Sequence, residues 1–139
     1  MKGDFRPTLQ EEVIFRPQEQ LQLFTDELIN NTVPRVSDGV ACAPFRKFAL
    51  YVKAKYGGQA DSSTLHIEVE FLDPWTGMWY THKQGLFAAL FYEDTDLASA
   101  IYECFTGEVL GRAMRVKITG VGTSSTLTYT VSIGVDFWN

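Results

Sequence analysis

From Thr126 to Phe137 the chain alternates strictly. Leu127, Tyr129, Val131, Ile133, Val135 and Phe137 take every second position, and Thr126, Thr128, Thr130, Ser132, Gly134 and Asp136 fill the gaps. Side chains of a strand point to opposite faces in turn, so this segment predicts a half-buried β-strand with one apolar face. A dozen residues at about 3.3 Å each make a long strand, and a bend or bulge is expected at Gly134. The same period recurs upstream. Phe48, Leu50, Val52, Ala54 and Tyr56 share one face of residues 48–56, and Leu65, Ile67, Val69 and Phe71 share one face of residues 64–71. In residues 112–119 the inward positions are Met114, Val116 and Ile118.

The connections suggest how these strands pair. Residues 48–56 and 64–71 are separated by Gly57 to Ser63, and are expected to form an antiparallel hairpin. Outward Lys53 and Lys55 would then face outward Glu68 and Glu70, a register favoured by opposite charges. Residues 112–119 and the final strand, joined through Gly120 to Ser125, are expected to form a second hairpin. Asp73-Pro-Trp-Thr-Gly77 reads as a tight loop leading into a short strand at Met78 to Thr81. Leu86 to Phe91 is apolar without a period, as in a strand buried on both faces. Leu97, Ile101 and Phe105 lie four apart, so Asp94 to Phe105 predicts one short helix, capped by Thr95 or Asp96 and ended by Gly107, with a strand as the alternative. The sum is an all-β fold, an antiparallel two-sheet β-sandwich or jelly roll.

Residues 1–38 have a different texture. Pro7, Pro17 and Pro34 interrupt them, and their apolar pieces are too short for helices with an interior. They read as an extended N-terminal arm ahead of a sandwich domain at 39–139. Leu21 and Leu23 predict an edge strand within it, and Leu28 to Val33 another. Such an arm carries Phe5, Ile14, Phe15 and Phe24 into water unless it docks on something. The other reading is an ordinary first strand and loop packed on its own domain.

A chain of 139 residues is expected to build one core. Its ten Phe, six Tyr and three Trp suit the gap between two facing sheets. A formal charge of −5 disfavours nucleic acid as a partner. The first residues lack an apolar signal region, and no run approaches the length of a membrane span, so synthesis in a reducing cytoplasm without membrane insertion is expected. Cys42 and Cys104 are expected to be buried free thiols, with one disulfide as the alternative.

Chemistry is sparse. His66 and His82 lack any metal-binding spacing, and Cys104 beside Glu103 lacks a nucleophile signature, so it reads as a core thiol in the helix. No phosphate-binding or nucleophile-elbow motif occurs. Glu68 and Glu70 read as ordinary surface carboxylates, and Glu93, Asp94 and Asp96 lack the spacing of a calcium loop. No enzyme activity, cofactor or metal is expected. Trp75, Trp79 and Tyr80 cluster around the Asp73 turn, either as a stacking platform for sugars or as core and end-cover residues, with Trp79 following alternation inward. Trp138 is either a plug at the sandwich edge or part of a subunit contact.

The succession of Phe48 to Tyr56, Thr64 to Tyr80, Gly111 to Gly120 and the Thr/Ser-rich last strand, behind an extended N-terminal segment, resembles small β-sandwich virion proteins of tailed bacteriophages. The likeness is greatest to head decoration, or capsid cement, proteins. It covers about residues 45–137 and consists of strand pattern and turn position. The resemblance implies a structural protein on the capsid surface that binds between major capsid protein subunits, as a homo-oligomer and most often a trimer, and strengthens the shell. Its contacts would come from Phe5, Ile14, Phe15, Leu21, Leu23, Phe24, Trp75 and Trp138. A tail-associated module of the same fold, and a carbohydrate-binding module using Trp75, Trp79 and Tyr80, are the alternatives.

Overall fold

The computed structural model describes residues 20–57, 63–83, 87–91, 100–124 and 128–139. The strands among them are β1 (Gln20–Ile29), β2 (Arg35–Val36), β3 (Val40–Ala41), β4 (Lys47–Tyr56), β5 (Thr64–Leu72), β6 (Trp79–Thr81), β7 (Ala88–Phe91), β8 (Ala100–Glu108), β9 (Ala113–Val121) and β10 (Tyr129–Trp138). They make two antiparallel sheets. The first has the order β1-β10-β4-β8; the second runs β2-β9-β5-β6, with β3 also on β9 and β7 also on β5. The sheets face each other across one core. β10 and β4 supply Phe48, Leu50, Val52, Tyr129, Val131, Ile133 and Phe137 from one side, and β5 and β9 supply Leu65, Ile67, Val69, Met114, Val116 and Ile118 from the other. Each such side chain, fully withdrawn from water, contributes roughly 1.5–3 kcal/mol of hydrophobic stabilisation.

Every inward position named from alternation on β4, β5, β9 and the described part of the last strand is buried. The pairing of those strands differs from expectation. β4 and β5 lie in opposite sheets, and so do β9 and β10. Neither pair is a hairpin; in each the chain crosses from one layer to the other. β5 instead pairs with β9, placing Glu68 opposite Lys117 and Glu70 opposite Arg115, with ion pairs of 3.3 Å and 2.6 Å. Period two states which way a side chain points and is silent on its neighbour. Lys53 and Lys55 on β4 and the basic residues of β9 offered Glu68 and Glu70 equally good partners.

Other corrections concern local structure. Residues 100–105, expected to be helical, form most of the first part of β8, paired with β4 along its length; residues 94–99 lie outside the described set. Gly107 is a strand residue. β7 is buried on alternate positions, Ala88 and Leu90, as an outer strand packed on one side. β10 pairs with β4 without interruption through Gly134, and the register shifts lie across from it in β1, between Gln22 and Phe24 and between Phe24 and Glu27. Bulges of this kind bend an outer strand and discourage it from pairing with another chain. β1 itself belongs to the first sheet, with Phe24 and Ile29 in the core, and Leu28 and Ile29 end it instead of starting a second strand.

Candidate functional site

Two surfaces stand out, one at an end of the sandwich and one on a sheet face. The end surface is built on the turn after β5. Asp73 accepts hydrogen bonds at its carboxylate from the Trp75 amide (3.0 Å) and the Thr76 hydroxyl (2.7 Å). Its own amide donates to the Met78 carbonyl, and its carbonyl accepts from the Gly77 amide. Gly77 sits at φ +74°, a left-handed conformation that a side chain would resist. The Thr76 hydroxyl and then the Trp75 amide hold the Asp73 carboxyl below its ordinary pKa, so the turn stays assembled through the physiological range. At its tip Trp75 is 94% exposed. Met78, Tyr80 and, from the segment after β8, Leu110 are exposed as well, and a cavity of about 310 Å³ runs between Pro74, Tyr80, His82 and Leu110.

Trp75, Trp79 and Tyr80 do not share a platform. Trp79 lies on the outer face of the second sheet under the Arg115 guanidinium, 4.3 Å from its ring centroid, and is not directed into the core. Tyr80, its neighbour along β6, takes the opposite face. The outer face of this sheet is occupied by its own ion pairs, with Arg115 bridging Glu70 and Trp79.

The outer face of the first sheet is different. Gln22 of β1, Gly134 of β10 and Tyr51 of β4 lie side by side in the register, and with no side chain at Gly134 a trench opens between the other two. It has a volume of about 600 Å³ and is lined by Gln22, Tyr51, Lys53, Ser132 and Asp136. A second depression of about 260 Å³ continues across Tyr51 and Lys53 to Tyr102 and Cys104 of β8. Tyr51 is 51% and Tyr102 71% exposed, with the Lys53 ammonium 6.0 Å from the Tyr102 ring centroid. Partial desolvation, then the nearby Asp136 carboxylate and Cys104 thiol, hold the Tyr51 phenol above its ordinary pKa. It therefore stays a neutral hydrogen-bonding group.

The remaining expected contact residues are scattered. Leu21 and Leu23 pack against the core margin and Phe24 within it; Trp138, on the outer face at the end of β10, is 38% exposed. Phe5, Ile14 and Phe15 lie outside the described residues. The cysteines are both free, but only Cys42 is a core thiol: it donates to the Gly111 carbonyl and burial pushes its pKa up to about 11. Cys104 is exposed, because its segment is an outer strand and not a helix. The trench residues were missed from the sequence. Tyr51 and Lys53 had been placed outward there, yet nothing local tells that β10 and β8 flank them, with β1 beyond β10. No group of three or more His, Cys, Asp or Glu among the described residues could hold a metal ion, and no helix among them is long and apolar enough to cross a membrane.

No protein-family model matches the chain, and no curated protein matches it in sequence. Solved structures do share its fold. A protein of the T13 particle of infectious bursal disease virus overlays with a TM-score of 0.54 at 9% identity, over 84% of this chain and 30% of its own. The chain therefore spans under a third of that viral protein. The CBM22-1 xylan-binding domain of Paenibacillus barcinonensis Xyn10C overlays with a TM-score of 0.52 at 8% identity, over 86% of this chain and 93% of its own. The PBSX exported protein XepA overlays more loosely, with a TM-score of 0.48 at 13% identity over 86% of this chain and 36% of its own. At these identities the likeness is one of fold: a two-sheet antiparallel sandwich found in a viral particle and in a carbohydrate-binding module alike.

Proposed function

We propose that this protein is a structural component of a virus particle, a decoration or cement protein that docks on the major capsid protein and reinforces the shell as a homo-oligomer, a trimer by preference. One observation carries the reading: the Asp73 turn holds Trp75 almost wholly in water on a hydrogen-bonded frame. Placing a large aromatic side chain there is unfavourable for an isolated molecule. It becomes favourable when a partner covers it, because tryptophan buried at the centre of an interface ranks among the largest contributors to binding. Tyr80 and Leu110 are exposed at the same end, across the cavity that Asp73 and Pro74 line. The frame is ordered before contact, so little conformational entropy is lost on docking. Behind it two sheets close on one core, a build that suits a reinforcing part.

The test is co-sedimentation of the purified protein with empty shells assembled from phage major capsid protein, with light scattering to give its oligomeric state. Wild-type protein should pellet with the shells, and Trp75→Ala should weaken binding at least about tenfold, the equivalent of a lost anchor worth about 1.4 kcal/mol. Binding unchanged in a Trp75→Ala, Leu110→Ser double variant would show that this end does not dock. Failure of the wild-type protein to bind any shell would overturn the whole reading.

A further inference from the structure

The trench on the first sheet is not used by the docking end and asks for its own occupant. We propose that it is a binding site for a neutral polysaccharide, threaded across β1, β10 and β4 toward β8. The inference stands apart from the cement reading and uses none of its residues.

Gly134 lies at the floor of the trench. An outward strand position in mid-sheet would ordinarily carry a side chain level with its neighbours. Here none is present: Gln22 and Tyr51 are the cross-strand neighbours of the glycine, and the Gln22 amide oxygen borders the space above it. A Cβ at this position would meet its nearest atom, Gln22 Oε1, only at 3.4 Å. The glycine is therefore not required by crowding, and its effect is to leave the floor of the trench open. The volume, about 600 Å³, lies in the range of small-molecule and sugar-sized sites. Its continuation over Tyr51 to Tyr102 makes a path longer than a single ring and suits a chain.

The walls determine the chemistry. A pyranose ring has an apolar face of C–H bonds and an edge of hydroxyls that both donate and accept. Tyr51 and Tyr102 offer exposed aromatic surface for the face. Lys53 supplies a donor, and Asp136 and Gln22 Oε1 supply acceptors, for the edge. The weak contact of Lys53 with Tyr102 gives way readily when a ring takes its place, since both partners are exposed. Lys53 is flanked by Asp136 in the trench and Glu103 in its continuation, so a polyanion is not favoured, and the formal charge of −5 opposes phosphate or sulfate chains further. A lipid chain would leave the exposed Lys53 ammonium without water. A protein partner would be expected to meet a desolvated apolar centre, and the middle of this surface is glycine flanked by polar groups.

Affinity electrophoresis of the full chain through gels containing soluble arabinoxylan, mixed-linkage β-glucan, galactomannan or dextran tests this directly. At least one polymer should retard the protein. Tyr102→Ala and Tyr51→Ala should weaken retardation about tenfold, one lost stacking contact. Gly134→Val should abolish it by filling the floor, while suiting the strand. Retardation should survive 0.5 M salt, and Trp75→Ala should leave it unchanged, which separates this site from the docking end. The proposal fails if none of the polymers retards the protein, if the three trench variants behave as wild type, or if salt releases the polymer. It also fails if light scattering shows a dimer that Tyr102→Ala dissociates, because a second copy would then cover the face.

Discussion

The Phe48 ring rests directly on the backbone of Gly107, so closely that a Cβ at residue 107 would come within 2.7 Å of Phe48 Cζ. Phe48 is fully buried and touches Phe71, Phe87 and His82 as well, so it cannot step aside. Gly107→Ala should therefore destabilise the fold by about 1–3 kcal/mol, the usual cost of forcing an extra carbon into a packed core. Urea unfolding followed by circular dichroism measures it; an unchanged midpoint would mean the ring is free to shift.

The Glu70 to Arg115 pair, at 2.6 Å, joins the two central strands of the second sheet where Glu70 is largely buried. Lys117 stands 3.9 Å from the other Glu70 oxygen. Arg115→Met leaves that carboxylate short of its closest donor and also uncovers Trp79, and should cost about 1–3 kcal/mol. Glu68→Gln, whose pair with Lys117 is more exposed, should cost about 0–1 kcal/mol. Denaturation of both single variants checks the ranking, and equal losses would contradict it.

His82 sits edge-on to Phe48 and Phe87 with its Nδ1 buried and without a hydrogen-bond partner among the described residues. Burial, and then the adjacent Lys83 charge, lower its pKa from 6.5, with Glu108 opposing. The unfolded chain thus binds this proton more readily than the folded one. The stability associated with neutral His82 is complete above about pH 6.5 and is lost as the pH falls through the lower, folded value. Replacing the ring by an apolar one removes this dependence. His82→Phe should raise the melting temperature more at pH 5 than at pH 7.5, and an equal rise at both would show that His82 does not titrate against folding.

The two thiols should separate kinetically. Cys104 is exposed on β8, whereas Cys42 is buried with its pKa pushed up to about 11. Reaction requires the thiolate and access to it. A colorimetric disulfide reagent at pH 8 should titrate one thiol quickly in native protein and the second only on unfolding, and Cys104→Ser should remove the quick phase. Two fast thiols would mean that the loop around Cys42 opens readily.

Much of the fold was legible because burial on a strand has a period the chain displays directly. Phe48 to Tyr56, Leu65 to Phe71, Met114 to Ile118 and Tyr129 to Phe137 all point inward as alternation predicts. The Asp73 to Gly77 turn was legible too, since its proline, glycine and carboxylate each have a local role. Asp94 to Phe105 misled because spacings of four also satisfy period two. Leu97, Ile101 and Phe105 fit one face of a helix or one face of a strand, and the described portion is settled as strand by ten-residue β4, which has an unpaired side for it.

What the residues determined alone is the inside and outside of each strand, a matter of water and apolar area that neighbours do not alter. Partnership was decided only by the folded chain. Glu68 and Glu70 had lysines available on β4 and basic residues on β9, and local energies of exposed pairs are too small to choose between them. The choice fell to the core, which closes only when β4 and β5, and likewise β9 and β10, lie in opposite layers. That same crossing sets β1, β10, β4 and β8 side by side, and so brings Gln22, Gly134, Tyr51 and Tyr102, far apart in sequence, onto one surface.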